Sequence, residues 1–215
     1  MMNLFITAII SYLLGSIPTA YLIVSKKSQI NLFENGSGNS GAFNSFKVTK
    51  SYSVGLLVFL IDFSKGFAAV YIVKMLFGNS FETAATAALF AVIGHCFSVW
   101  IKFKGGRGLA TTAGAGFQIV PLLLAVWIIL WIIGYLYKRN VHFSNITATF
   151  LSLLLIIFNA QLFNKHSIIS AESDVLFGTL ISLILFTILI KHYGPLRDYF
   201  KFEKEKIKRI NDETT

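Results

Sequence analysis

The sequence predicts an all-α, polytopic transmembrane fold of about seven short helices, with its amino terminus outside and its carboxy terminus in the cytoplasm. Three observations predict it. Of 215 residues, 55% are hydrophobic and 13% charged, about half the charged share of an average soluble chain. The apolar residues gather in long runs, at about 4–24, 52–73, 83–101, 108–137, 145–160 and 174–190. The basic residues flank those runs, so the net charge of +9 reads as orientation and as attraction for anionic lipid or substrate. A nucleic-acid partner is discounted on that ground.

The first run has no basic segment before it and no small-residue cleavage site after it, and its 21 residues are long for a signal-peptide core. It reads as a retained first helix. The runs at 52–73, 83–101, 145–160 and 174–190 are each a plausible single span, allowing for short or tilted helices. The run at 108–137 is one long helix or two short ones broken near Gly114, Gly116, Gln118 and Pro121.

Charge decides between them. With a break near Val120, the loops at 25–51, 102–107, 138–143 and 191–215 share one side and hold 16 of the 19 basic residues. Without it, Lys138, Arg139 and the basic tail cross to the other face, against the positive-inside tendency. The break is therefore expected, and with it a single membrane domain over residues 1–192 followed by a polar cytoplasmic tail over 193–215. The tail sets Phe200 and Phe202 among lysines and is expected to lie along the membrane surface. Cys96, the single cysteine, has no intrachain partner and reads as packing.

Two loops on the cytoplasmic side carry the chemistry. The first runs Asn35-Gly36-Ser37-Gly38-Asn39-Ser40-Gly41-Ala42-Phe43-Asn44-Ser45-Phe46-Lys47. Its glycines permit positive φ and let backbone N–H groups converge on an anion, with hydroxyl and amide side chains as further donors. The same composition also makes an ordinary flexible turn. The second loop contains Lys102-Phe103-Lys104-Gly105-Gly106-Arg107-Gly108 running into a helix. That puts cations and free N–H groups at a helix N-terminus, a favourable place for phosphate. Its spacing is not that of a P-loop, and positive-inside flanking would explain the charges without the glycines.

A third feature lies within the second run, where Asp62 and Lys65 share a helix face and neutralise each other. Ionisable groups inside a bilayer are functional candidates, but a structural ion pair is preferred here to catalysis. His95 reads as a packing residue or a polar contact. The chain has no metal-spaced His/Cys/carboxylate cluster and no serine-hydrolase or metalloprotease motif, so no metal or cofactor is expected.

These pieces, in this order, resemble the bacterial membrane glycerol-3-phosphate acyltransferases of the PlsY type, which use acyl-phosphate donors. The resemblance rests on Leu14-Gly15-Ser16-Ile17-Pro18-Thr19-Ala20-Tyr21, then Gly36-Ser37-Gly38-Asn39 with Gly41, Ala42 and Asn44. It continues through Asp62 with Lys65-Gly66, Gly94-His95, and Phe103-Lys104-Gly105-Gly106-Arg107-Gly108 with Ala110-Thr111. It covers the first half strongly and the later helices by pattern.

The resemblance implies seven helices in the bacterial cytoplasmic membrane, with a monomer as the expected state and the site on the cytoplasmic face. Acyl transfer from acyl-phosphate to the 1-hydroxyl of glycerol-3-phosphate would give lysophosphatidic acid and phosphate. Ser37, Lys104 and His192 would be catalytic. Gly38, Asn39, Gly41, Asn44, Lys47, Gly105, Gly106, Arg107 and Gly108 would join Lys104 in holding phosphate, and Asp62, Lys65 and His95 would support them.

The chain also departs from the family pattern. Lys47 stands for the usual arginine, Phe43 for threonine and Ser98 for proline. After the last run, His192 takes the place of the histidine in a His-x-x-Asn segment, but Pro195 replaces its asparagine. Phe202 replaces the glycine of a following Gly-x-Glu, and Glu203 or Glu205 takes the glutamate's place after a shift. A changed acceptor, or a silent homologue that binds lipid, a phosphorylated polyol or a partner enzyme, is the alternative. An anion transporter ranks third, because the polar residues cluster towards one face and no inverted repeat is visible.

Overall fold

The structure, a computed structural model, describes residues 1–28 and 30–214, with the side chains of 26–28, 198–200, 202, 203 and 206–214 outside the described residues. The sequence correspondences made for Phe202 and Glu203 therefore fall outside them. The described chain is helical apart from turns and one isolated bridge between Ser98 and Lys104. The helices are α1 (Met2–Ser16), α2 (Thr19–Ser28), α3 (Ala42–Thr49), α4 (Tyr52–Phe77), α5 (Phe81–Cys96), α6 (Leu109–Ile119), α7 (Pro121–Lys138), α8 (Val141–Lys165) and α9 (Asp174–Thr214). Among the described residues, five segments are long and apolar enough to cross a membrane: Met2–Ser25, Tyr52–Phe77, Pro121–Lys138, Val141–Lys165 and Asp174–Arg197. The protein is a multi-pass membrane protein.

The break expected near Val120 is present. Pro121 lacks the N–H to continue α6 and opens α7 as its first residue, while Val120 takes φ −143° and ψ 71° between them. α6 is thus only 11 residues long, about 16 Å. Its far end is tied to the α8–α9 connection by Ile168 N donating to Ile119 O at 2.8 Å.

Two runs end differently from the sequence reading. The first is divided by Pro18, which removes a donor and pushes Ile17 out of helical geometry, to φ −55° and ψ 116°. The third stops at Cys96, because residues 97–104 reverse tightly, with Phe103 N donating to Ser98 O at 2.8 Å and Ser98 N to Lys104 O at 3.0 Å. α3, inside the first loop, was not expected at all.

Without water to expel, helices in a bilayer pack where small residues let backbones approach. α1 lies on α5 through Gly15 and Gly94: a Cβ added to either would fall 2.1 Å from the Ala91 carbonyl oxygen or 2.3 Å from that of Tyr12. α4 crosses α6 in the same way through Gly66 and Gly114. α9 packs on α5 and α8, with Phe81 and Phe177 stacked at 5.1 Å at one end of the bundle. The loops that matter lie at the other end.

Candidate active site

The elbow at Pro18 leaves carbonyl groups at the end of α1 without helical partners. Lys65 of α4 fills this need: its Nζ donates to Ile17 O at 2.7 Å and Gly15 O at 3.4 Å, and pairs with Asp62 Oδ1 at 2.8 Å. His95 Nδ1 lies 3.7 Å from the same carboxylate oxygen. All three side chains are buried. Ser98 Oγ donates to Ser16 O, and Tyr12 OH donates to Phe97 O at 2.8 Å. The start of the second loop is thereby fastened to the first helix.

The first loop is organised by Asn44. This side chain is 1% exposed; its Oδ1 accepts from Ser37 N at 2.8 Å, and its Nδ2 donates to Leu32 O at 3.3 Å and Asn35 O at 3.2 Å. Gly36 and Gly38 have φ of +64° and +63°, which L side chains seldom adopt. Asn44 therefore shapes the loop, and its amide is occupied in doing so. Ser37 and Gly38 are exposed, and Asn39 and Gly41 are partly buried where the loop meets the bundle.

The second loop folds back over the end of α5. Gly106 N donates to His95 O at 3.0 Å, so this N–H is committed within the protein. A Cβ at Gly105 would lie 2.3 Å from His95 O, and one at Gly106 2.0 Å from His95 Nε2. Only glycines let the loop lie on the imidazole. Gly108, at φ +85°, then starts α6. Lys104 is exposed with its Nζ 5.3 Å from the centroid of the Phe33 ring, which brings the two loops side by side.

Arg107 is partly buried, and its Nη1 stands 3.0 Å from His142 Nδ1 at the start of α8. A guanidinium only donates, so His142 accepts here and carries its proton on Nε2. Burial lowers the arginine's pKa from its ordinary value. His142 is itself placed by Asn140, whose Oδ1 caps α8 by accepting from the N–H groups of His142 and Phe143 at 2.9 and 3.0 Å.

These elements surround a cavity of about 410 Å³. Its polar end is lined by Asn39, Gly41, Asp62, His95, Arg107, Gly108 and His142. The rest is apolar, formed by α6, α7 and α9, and includes Trp127 and Trp131. Their indoles are held by hydrogen bonds to Thr149 Oγ1 at 3.0 Å and Asn145 Oδ1 at 2.6 Å. An amphipathic ligand with an anionic head and a hydrocarbon tail suits both halves.

Of the residues singled out in the sequence, Asn39, Gly41, Asp62, His95, Arg107 and Gly108 line this cavity, and Ser37, Gly38, Asn44, Lys47, Lys65, Lys104, Gly105, Gly106 and His192 do not. Lys47 is exposed, with its Nζ 4.7 Å from the Phe43 ring centroid. It lines a separate hollow of about 530 Å³ with Asn31, Glu34, Asn35 and Gly36. His192 is 1% exposed and its Nδ1 donates to Ile188 O at 2.8 Å. Its Nε2 is then a lone-pair acceptor, with no hydrogen-bond partner among the described residues. The sequence reading passed over His142, Trp127, Trp131 and Asn145. His142 had a signal, as a histidine beside Lys138 and Arg139 in a basic loop, but its partner is 35 residues away.

The glycerol-3-phosphate acyltransferase family model matches residues 5–201. A glycerol-3-phosphate acyltransferase of Wolbachia sp. subsp. Brugia malayi (strain TRS) is 35% identical over 205 residues, covering 95% of this chain and 99% of that protein. One of Streptococcus pneumoniae (strain Hungary19A-6) is 33% identical over 207 residues, covering 96% and 89%. The crystal structure of PlsY (YgiH), an integral membrane glycerol 3-phosphate acyltransferase in its glycerol 3-phosphate form, superposes with a TM-score of 0.74 at 31% identity, covering 92% of each chain. Its lysophosphatidic acid form gives 0.71. By sequence over nearly its whole length and by fold, this chain belongs to the glycerol-3-phosphate acyltransferase family.

Proposed function

We propose that the protein transfers a fatty acyl group from acyl-phosphate to the 1-hydroxyl of glycerol-3-phosphate, at the cytoplasmic face of a bacterial cytoplasmic membrane. One observation carries this reading: a single cavity whose cationic, glycine-lined end, built by both loops, continues into an apolar length. An acyl-phosphate has that shape and that charge.

The donor is already activated, so the protein's tasks are to bring two anions together and to stabilise charge developing on the carbonyl oxygen. Arg107 and Lys104 offset the charges of the phosphates. Ser37, Asn39 and the free N–H groups at the start of α6 supply neutral donors. The hydroxyl oxygen attacks the acyl carbon, the bond from that carbon to the phosphate oxygen breaks, and inorganic phosphate leaves. The hydroxyl proton passes to a phosphate dianion, since a phosphate monoester has its second pKa near 6. The proton ends on the released phosphate, and the products are lysophosphatidic acid and inorganic phosphate.

The test is purified, reconstituted protein given acyl-phosphate or an acyl thioester, with glycerol-3-phosphate and other polyol phosphates as acceptors. Acyl-phosphate with glycerol-3-phosphate is expected to release phosphate. Lys104→Ala or Ser37→Ala is expected to lower kcat/KM by about 100-fold or more. Full activity in both variants would overturn the site assignment. The replacement of a polar side chain by Pro195, inside α9 one turn beyond His192, favours a second reading, a homologue that binds without turnover. Binding of glycerol-3-phosphate with no transfer from any donor would establish it.

A further inference from the structure

α6 presents small residues on two faces, and the faces meet different things. Towards α4, a Cβ added at Gly114 would lie 1.9 Å from the Phe63 carbonyl oxygen. The close crossing of two helices explains that glycine. On the other face Ala113 and Gly116 line the cavity, and a Cβ added at Gly116 would meet nothing within 4 Å. Glycine inside a helix is destabilising relative to alanine, and no backbone approach accounts for it here. What its missing side chain provides is volume in the apolar part of the cavity.

The position along the helix matters. At 1.5 Å per residue, Gly116 is about 12 Å along α6 from Gly108 at the polar end, and Val120 about 18 Å. Val120 and Leu123, both buried, line the cavity where α6 turns into α7. Half of a bilayer's hydrocarbon core is about 15 Å thick, so the groove has the reach of one membrane acyl chain. Its walls are fixed by the hydrogen bond from Trp127 to Thr149 and by the tie from Ile168 to Ile119 at the elbow. A groove that cannot widen freely selects by length.

Resting on the acyltransferase reading above, we propose that Gly116 is a specificity-determining residue for acyl-chain length. Its bare backbone lets the distal methylenes of a long chain pass into the last turn of the groove before the α6–α7 elbow. A side chain there would stop them. Each methylene then left unburied costs about four-fold in preference, the equivalent of about 0.8 kcal/mol.

The experiment uses the full chain in lipid nanodiscs with a mixture of acyl-phosphates of graded length, and compares wild type with Gly116→Leu and Gly116→Ala. Both variants are expected to melt at or above the wild-type temperature, since nothing is crowded and glycine is removed from a helix. Gly116→Leu is expected to move the preferred donor shorter by about two to four carbons. The ratio of kcat/KM for short donors to that for long donors should rise, and Gly116→Ala should shift the profile a smaller distance the same way. An unchanged length profile in a folded, active variant overturns the proposal, as does equal loss with every donor. If Gly116→Leu does not fold, an unchanged profile in Gly116→Ala overturns it. Wild-type protein inactive with all donors would instead bring down the acyltransferase reading on which it rests.

Discussion

At the scale of single residues, the first loop owes its shape to a buried side chain whose amide is engaged within that loop. Asn44 offers one acceptor and two donors to three backbone groups of its own loop. Asn44→Asp keeps the size and the acceptor but removes both donors, and sets a carboxylate against the Leu32 and Asn35 carbonyl groups. Leaving buried carbonyls unpaired costs roughly 1–3 kcal/mol each. The glycerol-3-phosphate KM is expected to rise at least about ten-fold, with a lower melting temperature; a KM within experimental error of wild type would separate this loop from the site. Gly106→Ala acts at the second loop, where the new Cβ would fall 2.0 Å from His95 Nε2. Loop and imidazole cannot both keep their places. Activity is expected to fall about 100-fold, the scale of losing one charge-stabilising group, while far-ultraviolet circular dichroism stays unchanged.

This is also the scale at which the sequence was least legible. It offered Asn44 and Lys47 as phosphate ligands, because amide and ammonium groups in a glycine-rich loop have the right chemistry. Composition does not say which way a side chain points. Asn44 turns inward and is saturated by its own loop, and Lys47 turns to the Phe43 ring. Arg107 and Gly108 stood out as part of a basic glycine run at a helix start, and both line the cavity. The role of His142 was not, since its meaning comes from a partner that only the fold brings near.

At the scale of helices, the sequence was clearer. Pro121 and the distribution of lysines together located the α6–α7 break, because a missing N–H and an orientation rule are local facts. The division of the first run at Pro18 is an equally local proline effect, but it was hidden by uninterrupted hydrophobicity on both sides. Its consequence is the ion cluster of α4. Lys65→Met removes the donor to Gly15 and Ile17 and leaves Asp62 buried without its cation, an expected loss of about 3–5 kcal/mol. Adding Asp62→Asn should return part of that stability, because the orphaned charge goes with it. Thermal unfolding of both single variants and the double variant gives the coupling; strictly additive losses would mean that the two residues do not act as a pair. In the same way Gly114→Leu is expected to separate α4 from α6 and abolish folding in detergent, whereas the cavity-facing Gly116 should tolerate change.

At the scale of the whole molecule, the arrangement of ends predicts a topology. The Phe81–Phe177 stack and the tie from Ile168 to Ile119 mark one end of the bundle. The other end holds the Arg107–His142 contact and the Lys104–Phe33 contact. Five segments are long enough to span unaided; α5, with 16 residues, and α6, with 11, are shorter. If both also cross, Ser37, Lys102 and Arg139 face one side of the membrane, and Gly78 and Ser167 face the other. Cys96 is buried, so a Cys96→Ala background with single cysteines at those five positions can be labelled by an impermeant maleimide in sealed vesicles of known orientation. Positions 37, 102 and 139 are expected to react from the cytoplasmic side only, and 78 and 167 from the opposite side only. Labelling of 102 and 139 from different sides would mean that α6 re-enters without crossing, since α7 alone would then cross between them. The two loops would remain neighbours through Lys104 and Phe33, but the gathering of 16 of the 19 basic residues on one side would lose its explanation in the positive-inside rule.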